Sequence, residues 1–401
     1  MLNKAVPKGP AHYGIRVVNS MREVSALAWD RLLDQQSMPT PFMRHAYLSA
    51  LEQSASACEQ TGWSLRVLLM EEDATLAAAA VLYIKPHSRG EYVFDHAWAH
   101  AYARHGLNYY PKAICAVPFT PVNGSRLLAR SDEYRQQLAQ AMVNWVQAEK
   151  LSSVHLLFAS EQDLTAAQHA GMLVRHTVQF HWRNANQPFK DFAEFLATFT
   201  QEKRKKIRQE RRKVTDAGVH FVALQGSDIT AEDWAFFYRC YERTYLEHGN
   251  LPYLRPAFFS QLAQNAPQDW LLFVARRNGQ AIASSLIGLN VSCQNSPSSN
   301  KVAYGRYWGA LERVDCLHFE ACYYQPIEWC IQNGYHRFEG GAQGEHKLAR
   351  ALMPVTSHSA HWLAHPDFFD AVARYLNDES AGVDSYVQAL EAHSPLKPSP
   401  G

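Results

Sequence analysis

Apolar positions recur along this chain with two spacings, and segments of the two kinds alternate. Over 22–37, Val24, Leu27, Ala28 and Leu32 share one helical face, with Ser20 placed as a cap. Over 65–70 and 76–84 the apolar residues run together on either side of a Glu-Glu-Asp turn, which predicts two strands, and 91–98 reads as a third. A helix follows over 132–149, with Leu138, Met142, Trp145 and Val146 on one side. After it come a short buried strand at 154–158, a helix over 161–170 stopped by Gly171, and a strand over 173–182. The second half repeats the order. Gly218 stops a helix and 219–224 is a strand. Thr230-Ala-Glu-Asp233 resembles a capping box for a helix over 231–247. Strands at 270–276 and 280–289 are joined by Asn278-Gly279, a hairpin signal. A strand at 302–309, a helix over 317–333 ending at Gly334, and a strand at 335–340 complete the series.

The chain is 401 residues long, 47% apolar and 19% charged, enough for a full core and in the range of two domains. The division is expected near Asn186-Gln-Pro188, giving domains 14–187 and 188–385 with flexible ends at 1–13 and 386–401. The polar run at 292–300 reads as a long exposed hairpin loop. A net charge of +1 excludes a generally basic nucleic-acid binder. The longest apolar run, 76–84, is far short of the ~18 residues of a spanning helix. Residues 1–10 lack the apolar core of a secretion signal, so a cytoplasmic protein is expected. Seven scattered cysteines without a Cys-x-x-Cys pair predict free thiols and no zinc ribbon.

Charge is nevertheless concentrated. From Lys203 to Lys213 there are eight basic residues and one acid, a local charge of +7, so the rest of the chain carries −6. Arg204, Arg208 and Arg211 share a face by the three-and-four spacing, while Ile207 and Val214 mark a thin apolar seam. The segment is either a solvated helix face or an anion site for phosphates.

The most unusual stretch is Phe338-Glu-Gly-Gly-Ala-Gln-Gly-Glu-His-Lys-Leu-Ala-Arg350. Gly340, Gly341 and Gly344 permit backbone angles that let successive amides cradle an anion, and Gln343 lies among them. His346, Lys347 and Arg350 would present cations together. Glu339, at a strand end, could take a proton from an attacking amine, or could pair with Arg306 or Arg337. No Walker loop and no Gly-x-Gly-x-x-Gly is present.

Other residues add candidates. Tyr304-Gly-Arg-Tyr-Trp-Gly309 brackets aromatic residues and Arg306 with glycines. His318 and Glu320 open the helix that follows, where free amides point outward. His181 and Trp182 end a strand and could reach a cleft or belong to the core. His87, Glu91, Asp95, His96, His100 and His105 cluster in sequence, but a strand-like setting would separate them, and no metal is expected.

Lys205-Lys-Ile-Arg-Gln-Glu-Arg-Arg-Lys213, the Phe273-to-Ala283 hairpin and Phe338-Glu-Gly-Gly341 resemble the second domain of FemAB-type aminoacyltransferases. Tyr110-Pro-Lys112, Val117-Pro-Phe-Thr-Pro121, Gln179-Phe-His-Trp182, Leu317-His-Phe-Glu320 and Gly341-Ala-Gln-Gly-Glu-His-Lys347 are similar to a bacterial family of FemAB-like, GNAT-related N-acyltransferases, over roughly 17–380. The resemblance implies an α/β (α+β) fold of two tandem GNAT-like domains, with mixed sheets flanked by helices. It implies transfer of an acyl or aminoacyl group, from acyl-CoA or aminoacyl-tRNA, to a small-molecule or peptide amine. Trp308-Gly-Ala-Leu-Glu-Arg-Val314 does not match the GNAT pyrophosphate loop. Within this reading Glu339 or Glu345 is the base, with His346, His318 or Glu320 as alternatives. Lys203, Arg204, Arg208, Arg211, Arg306, Tyr304, Gln343, Lys347, Arg350, His181 and Trp182 hold substrate or phosphate, and amides at Gly340, Gly341 and Gly344 face the oxyanion. A ligand-binding module on the same fold and a metal-dependent hydrolase are the alternatives.

Overall fold

The computed structural model describes residues 13–185, 187–290, 301–342 and 344–397. The first half supplies strands β1 (Tyr13–Val18), β2 (Ser64–Glu72), β3 (Thr75–Lys85), β4 (Lys112–Cys115), β5 (Leu127–Ala129), β6 (Ser153–Leu157) and β7 (Leu173–Arg183). The second supplies β8 (Val219–Gln225), β9 (Trp270–Arg277), β10 (Gln280–Leu289), β11 (Val302–Ala310), β12 (Arg337–Ala342) and β13 (Met353–Leu363). All join one sheet in the order β1-β2-β3-β4-β6-β13-β7-β12-β11-β10-β9-β8, with β5 set aside against β3.

With β5 left aside, the halves correspond strand for strand. In each, antiparallel neighbours lead to one parallel pair reached through a helix. β4 and β6 are parallel across the helix Asp132–Ala148, and β11 and β12 are parallel across the helical segment 317–332. This is the arrangement of a GNAT-like domain, present twice. The final strands are exchanged: β7 pairs with β12 of the second half, β13 pairs with β6 of the first, and the two pair with each other at the centre. A cut at residue 187 therefore does not separate two self-contained sheets.

Local chemistry explains the elements. The Ser131 hydroxyl accepts from Tyr134 N and acids fill the first turn of Asp132–Ala148, while Leu138, Met142 and Val146 bury against the sheet. The β9–β10 hairpin turns at Asn278 and Gly279, both with positive φ, as a type I′ turn requires. One core cluster crosses the halves: Trp29, Phe42 and Tyr47 of the first pack with Trp234, Phe258 and Trp270 of the second. A second covers the other face of the first half, and a third lies under the helices of the second.

Two expectations need correction. Residues 91–98 are not a strand: Tyr92 sits at φ +62, which no strand allows, and a helix begins at His96 (His96–Arg104), burying Trp98 and Tyr102 one turn apart. The chain after 385 does not trail off. The helix Pro366–Ala392 continues past it, burying Leu390, and Leu396 then pairs with Phe199. The run at 292–300 and most of the N-terminal segment lie outside the described residues. Among the described residues, no helix is long and apolar enough to cross a membrane.

Candidate functional site

β11 and β12 pair only at Val302–Arg337, Ala303–Phe338 and Tyr304–Glu339. Beyond that point β11 stays with β10 to Ala310, while β12 turns away at Gly341, whose φ is +78. The β11 side is tight too: a Cβ at Gly305 would lie 3.0 Å from the Phe338 ring. The strands open like a V, and the opening is a cavity of about 250 Å³. Gly305, Arg306, Tyr307 and Trp308 of β11 form one wall. His318, Cys322 and Tyr323 of the helical segment form another. Gly340, His346 and Lys347 close the third. The helical wall is irregular, with Cys316 at φ +66 before it and a π turn over Glu320–Tyr324, a distortion that recurs at functional sites.

The titratable groups on these walls are basic or near-neutral; among the described residues, no aspartate or glutamate lines the cavity. His318 is pushed down to about 4 by burial first, then by the positive field of His346, Arg350 and Lys347. His346 is also lowered, by burial and by Lys347 and Arg350. Its Nε2 lies 3.0 Å from the Tyr323 hydroxyl, and its ring centre is 6.3 Å from that of His318. Lys347 is buried and lowered to about 8 by desolvation, and it donates to the Gly341 carbonyl at 2.9 Å. The walls thus hold two imidazoles whose protonation is disfavoured, beside Lys347.

The structure separates the other candidates from this cavity. Glu339 is 2% exposed and pairs with Tyr304 in the strand register. Its carboxylate sits 3.0 Å from Arg337 Nε and 3.7 Å from His181 Nε2, so it is held in packing. Glu345 points outward and accepts from the Tyr386 hydroxyl at 2.7 Å. Glu320 is buried and clamps Arg211, which also meets Glu328 at 2.6 Å. The carboxylate base expected from the sequence is therefore not at the cavity wall; histidines are.

The basic helix Gln201–Asp216 packs through its seam of Ile207, Glu210 and Val214, which turns Lys205, Arg208 and Arg212 to solvent. Lys203 and Arg204 are half-buried beside the seam, and none of the helix's cations lines the cavity. Its contact with the glycine segment runs instead through Glu210, which accepts from Arg350 Nη2 at 2.9 Å and from the Tyr324 hydroxyl. Arg350 is buried 3.5 Å above the Phe319 ring and serves this contact rather than the cavity.

Tyr304 packs edge-on against Phe42 in the shared core. Gly344, at φ +110, lies against the His346 ring, and Gln343 is outside the described residues. His181 and Trp182 line a separate, mostly apolar cavity of about 360 Å³ beside Phe189, Phe195 and Leu396. The histidines of 87–105 do not gather: His87 lies against Gly62, His96 stacks on Phe94, and His105 bonds the Ala101 carbonyl. Among the described residues, no group of three or more His, Cys, Asp or Glu side chains could hold a metal ion.

Ser285, Cys322 and Tyr323 were missed as wall residues. Ser285 carried a faint signal, a hydroxyl within the apolar strand β10, where its Oγ donates to the Ala321 carbonyl at 2.6 Å. Cys322 and Tyr323 carried none, because the π turn that places them leaves no mark in the spacing.

The chain is thus a tandem GNAT-like fold with a cavity between separating parallel strands. A crystal structure of FemX matches it with a TM-score of 0.54 at 10% identity, covering 89% of this chain and 100% of that one. The C-terminal DUF2156 domain of an Agrobacterium fabrum protein assigned as a lysylphosphatidylglycerol synthetase matches with a TM-score of 0.50 at 11% identity, over 88% and 96%. At these identities the likeness is one of fold. No curated protein sequence matches the chain. The model of the FemAB-like family, described as peptidoglycan biosynthesis/recognition, matches residues 20–398. The chain belongs to the FemAB-like family.

Proposed function

We propose that the protein is an N-acyltransferase and that it passes an acyl or aminoacyl group to an amine inside the cavity between β11 and β12. The observation that carries this reading is the pairing of His346 and His318 on walls that also hold Lys347 and the Tyr323 hydroxyl. A base must be unprotonated at working pH; burial holds His318 so, and His346, though exposed, is lowered in the same direction by partial desolvation and the charges of Lys347 and Arg350. His346 is the better base, because a group near 4, as His318 is, holds a proton too weakly. The amine attacks the carbonyl, a C–N bond forms, and His346 takes the amine proton. The thioester or ester bond then breaks, and the same proton leaves with the departing group. Lys347 supplies positive field to the developing oxyanion.

Membership of the FemAB-like family supports an aminoacyl ester on tRNA as donor and a peptidoglycan precursor as acceptor; the fold itself also suits acyl-CoA. The exposed cations of the basic helix suit the phosphates of either donor from outside the cavity.

The test is turnover. The purified protein is offered panels of acyl-CoA and aminoacyl-tRNA donors with peptide and small amines, and products are read by mass spectrometry. His346→Ala should lower the rate about 10²–10⁴-fold, and His318→Ala less. Unchanged turnover in both variants would remove the histidines from the chemistry. Ligand retention with no product from either panel would identify a binding module instead.

A further inference from the structure

Arg306 lies where the two halves meet, at the rim of the cavity. Its Nη2 donates to the Phe119 carbonyl at 2.9 Å, to the Tyr307 hydroxyl at 3.1 Å and to Thr120 Oγ1 at 3.4 Å. All three acceptors are neutral. Its Nε is buried and has no hydrogen-bond partner among the described residues. The guanidinium sits 4.9 Å from the Tyr307 ring centre and 5.1 Å from that of Phe42, so its surroundings are aromatic.

Several other shielded guanidinium groups in this molecule meet carboxylates, whereas the buried Arg126 meets the Val122 carbonyl. Arg175 meets Glu379 at 2.7 Å, Arg211 meets Glu328 at 2.6 Å, and Arg350 meets Glu210 at 2.9 Å. Arg306 lines a cavity without an acidic side chain among the described residues, and its protein partners only orient it. A half-buried cation held in place but not neutralised can receive an anion brought by a ligand. The Phe119 contact strengthens the point, because the orientation is set by the opposite half: Phe119 is held at φ +58 and stacks on Tyr253 at 4.7 Å.

We propose that Arg306 receives a carboxylate of the amine acceptor, so that the acceptor is an amino acid or a peptide presenting a free carboxylate rather than a simple amine. This rests on the cavity being the acyl-transfer site. A carboxylate fits better than a phosphate, since Arg306 stands among neutral hydroxyls and the cavity's other cation, Lys347, is on a different wall and donates to the Gly341 carbonyl, whereas a phosphate dianion calls for several cations together. Arg306 is thereby a specificity residue, acting on the acceptor and not on the proton transfer.

Binding by the full chain to N-acetylglycine, N-acetylglycinamide and methyl phosphate tests this, read by ligand-observed NMR titration. The first two probes differ only in the carboxylate. The wild-type protein should bind N-acetylglycine at least about tenfold more tightly than the amide, the scale of one charge-assisted pair. Arg306→Gln should erase that preference while amide binding stays within about twofold, and Arg306→Lys should keep part of it. The wild-type comparison needs no variant, so it stands even if Arg306→Gln fails to fold. Equal binding of the first two probes, preference for methyl phosphate, no binding of any probe, or a preference that survives Arg306→Gln would each overturn the proposal. The readout is independent of turnover: a carboxylate preference without product sinks the acyltransferase reading alone, and product without the preference sinks this one alone.

Discussion

Glu210 is the lone acid of a basic segment, and it is the residue that ties that segment to the glycine turn. Removing it leaves Arg350 buried, charged and unpaired over the Phe319 ring. Glu210→Ala should cost about 3–5 kcal/mol in chemical denaturation, and Glu210→Gln less, because the amide still accepts a hydrogen bond. A second residue-scale consequence concerns pH. His155 is fully buried, with its Nδ1 2.8 Å from that of His361 and its Nε2 2.8 Å from Ser153 Oγ. Burial first, then the Lys112 charge, lowers it to about 3. The unfolded chain takes up this proton near pH 6.5 and the folded protein does not, so stability is present above that pH and is lost as pH falls below it. The loss should approach about 1.4 kcal/mol per pH unit for this histidine, seen as a flatter denaturation-versus-pH profile in His155→Gln. Residue identity was the part of the site least legible in the sequence. A carboxylate at a strand end looks the same whether it meets solvent or, like Glu339, lies between Arg337 and His181.

Elements were more legible, because period and punctuation are local. The helix Ala231–Glu247 follows its capping box, and the β9–β10 turn follows Asn-Gly. The failure at 91–98 has a physical cause: aromatic and β-branched residues there look strand-like, while the pair that decides the structure, Trp98 and Tyr102, is a helical one. The glycines at 305 and 309 both stand where another group comes close to β11, and Gly309 is the sharper case. A Cβ there would lie 1.9 Å from the Cys240 carbonyl oxygen, a backbone atom of the helix Ala231–Glu247. Gly309→Ala should therefore push that helix off β11 and cost about 3 kcal/mol or more, measured as a lowered urea midpoint with little change in slope. Gly340→Ala meets the end of the Leu352 side chain rather than a backbone atom, so its stability cost should be smaller than that of Gly309→Ala.

At the scale of the molecule, the repeated order of elements was visible in the sequence, but the exchange of β7 and β13 was not, since partner choice between strands depends on residues far apart in the chain. That exchange and the shared aromatic core make the halves interdependent. Fragments 1–187 and 188–401 produced separately should each lack cooperative unfolding by circular dichroism, and co-expression should recover it; independent folding of either would contradict the interdependence. The interdependence reaches the cavity as well, because the Phe119 carbonyl of one half accepts from Arg306 of the other at the cavity rim. The most direct test of where the chemistry occurs is hydrogen–deuterium exchange of the wild-type protein with and without the acyl donor that the turnover panel selects. The account predicts slowed exchange in peptides spanning 304–309, 316–324 and 339–348. Protection confined to the apolar cavity around Trp182, Phe195 and Val355, with those three segments unchanged, would contradict it.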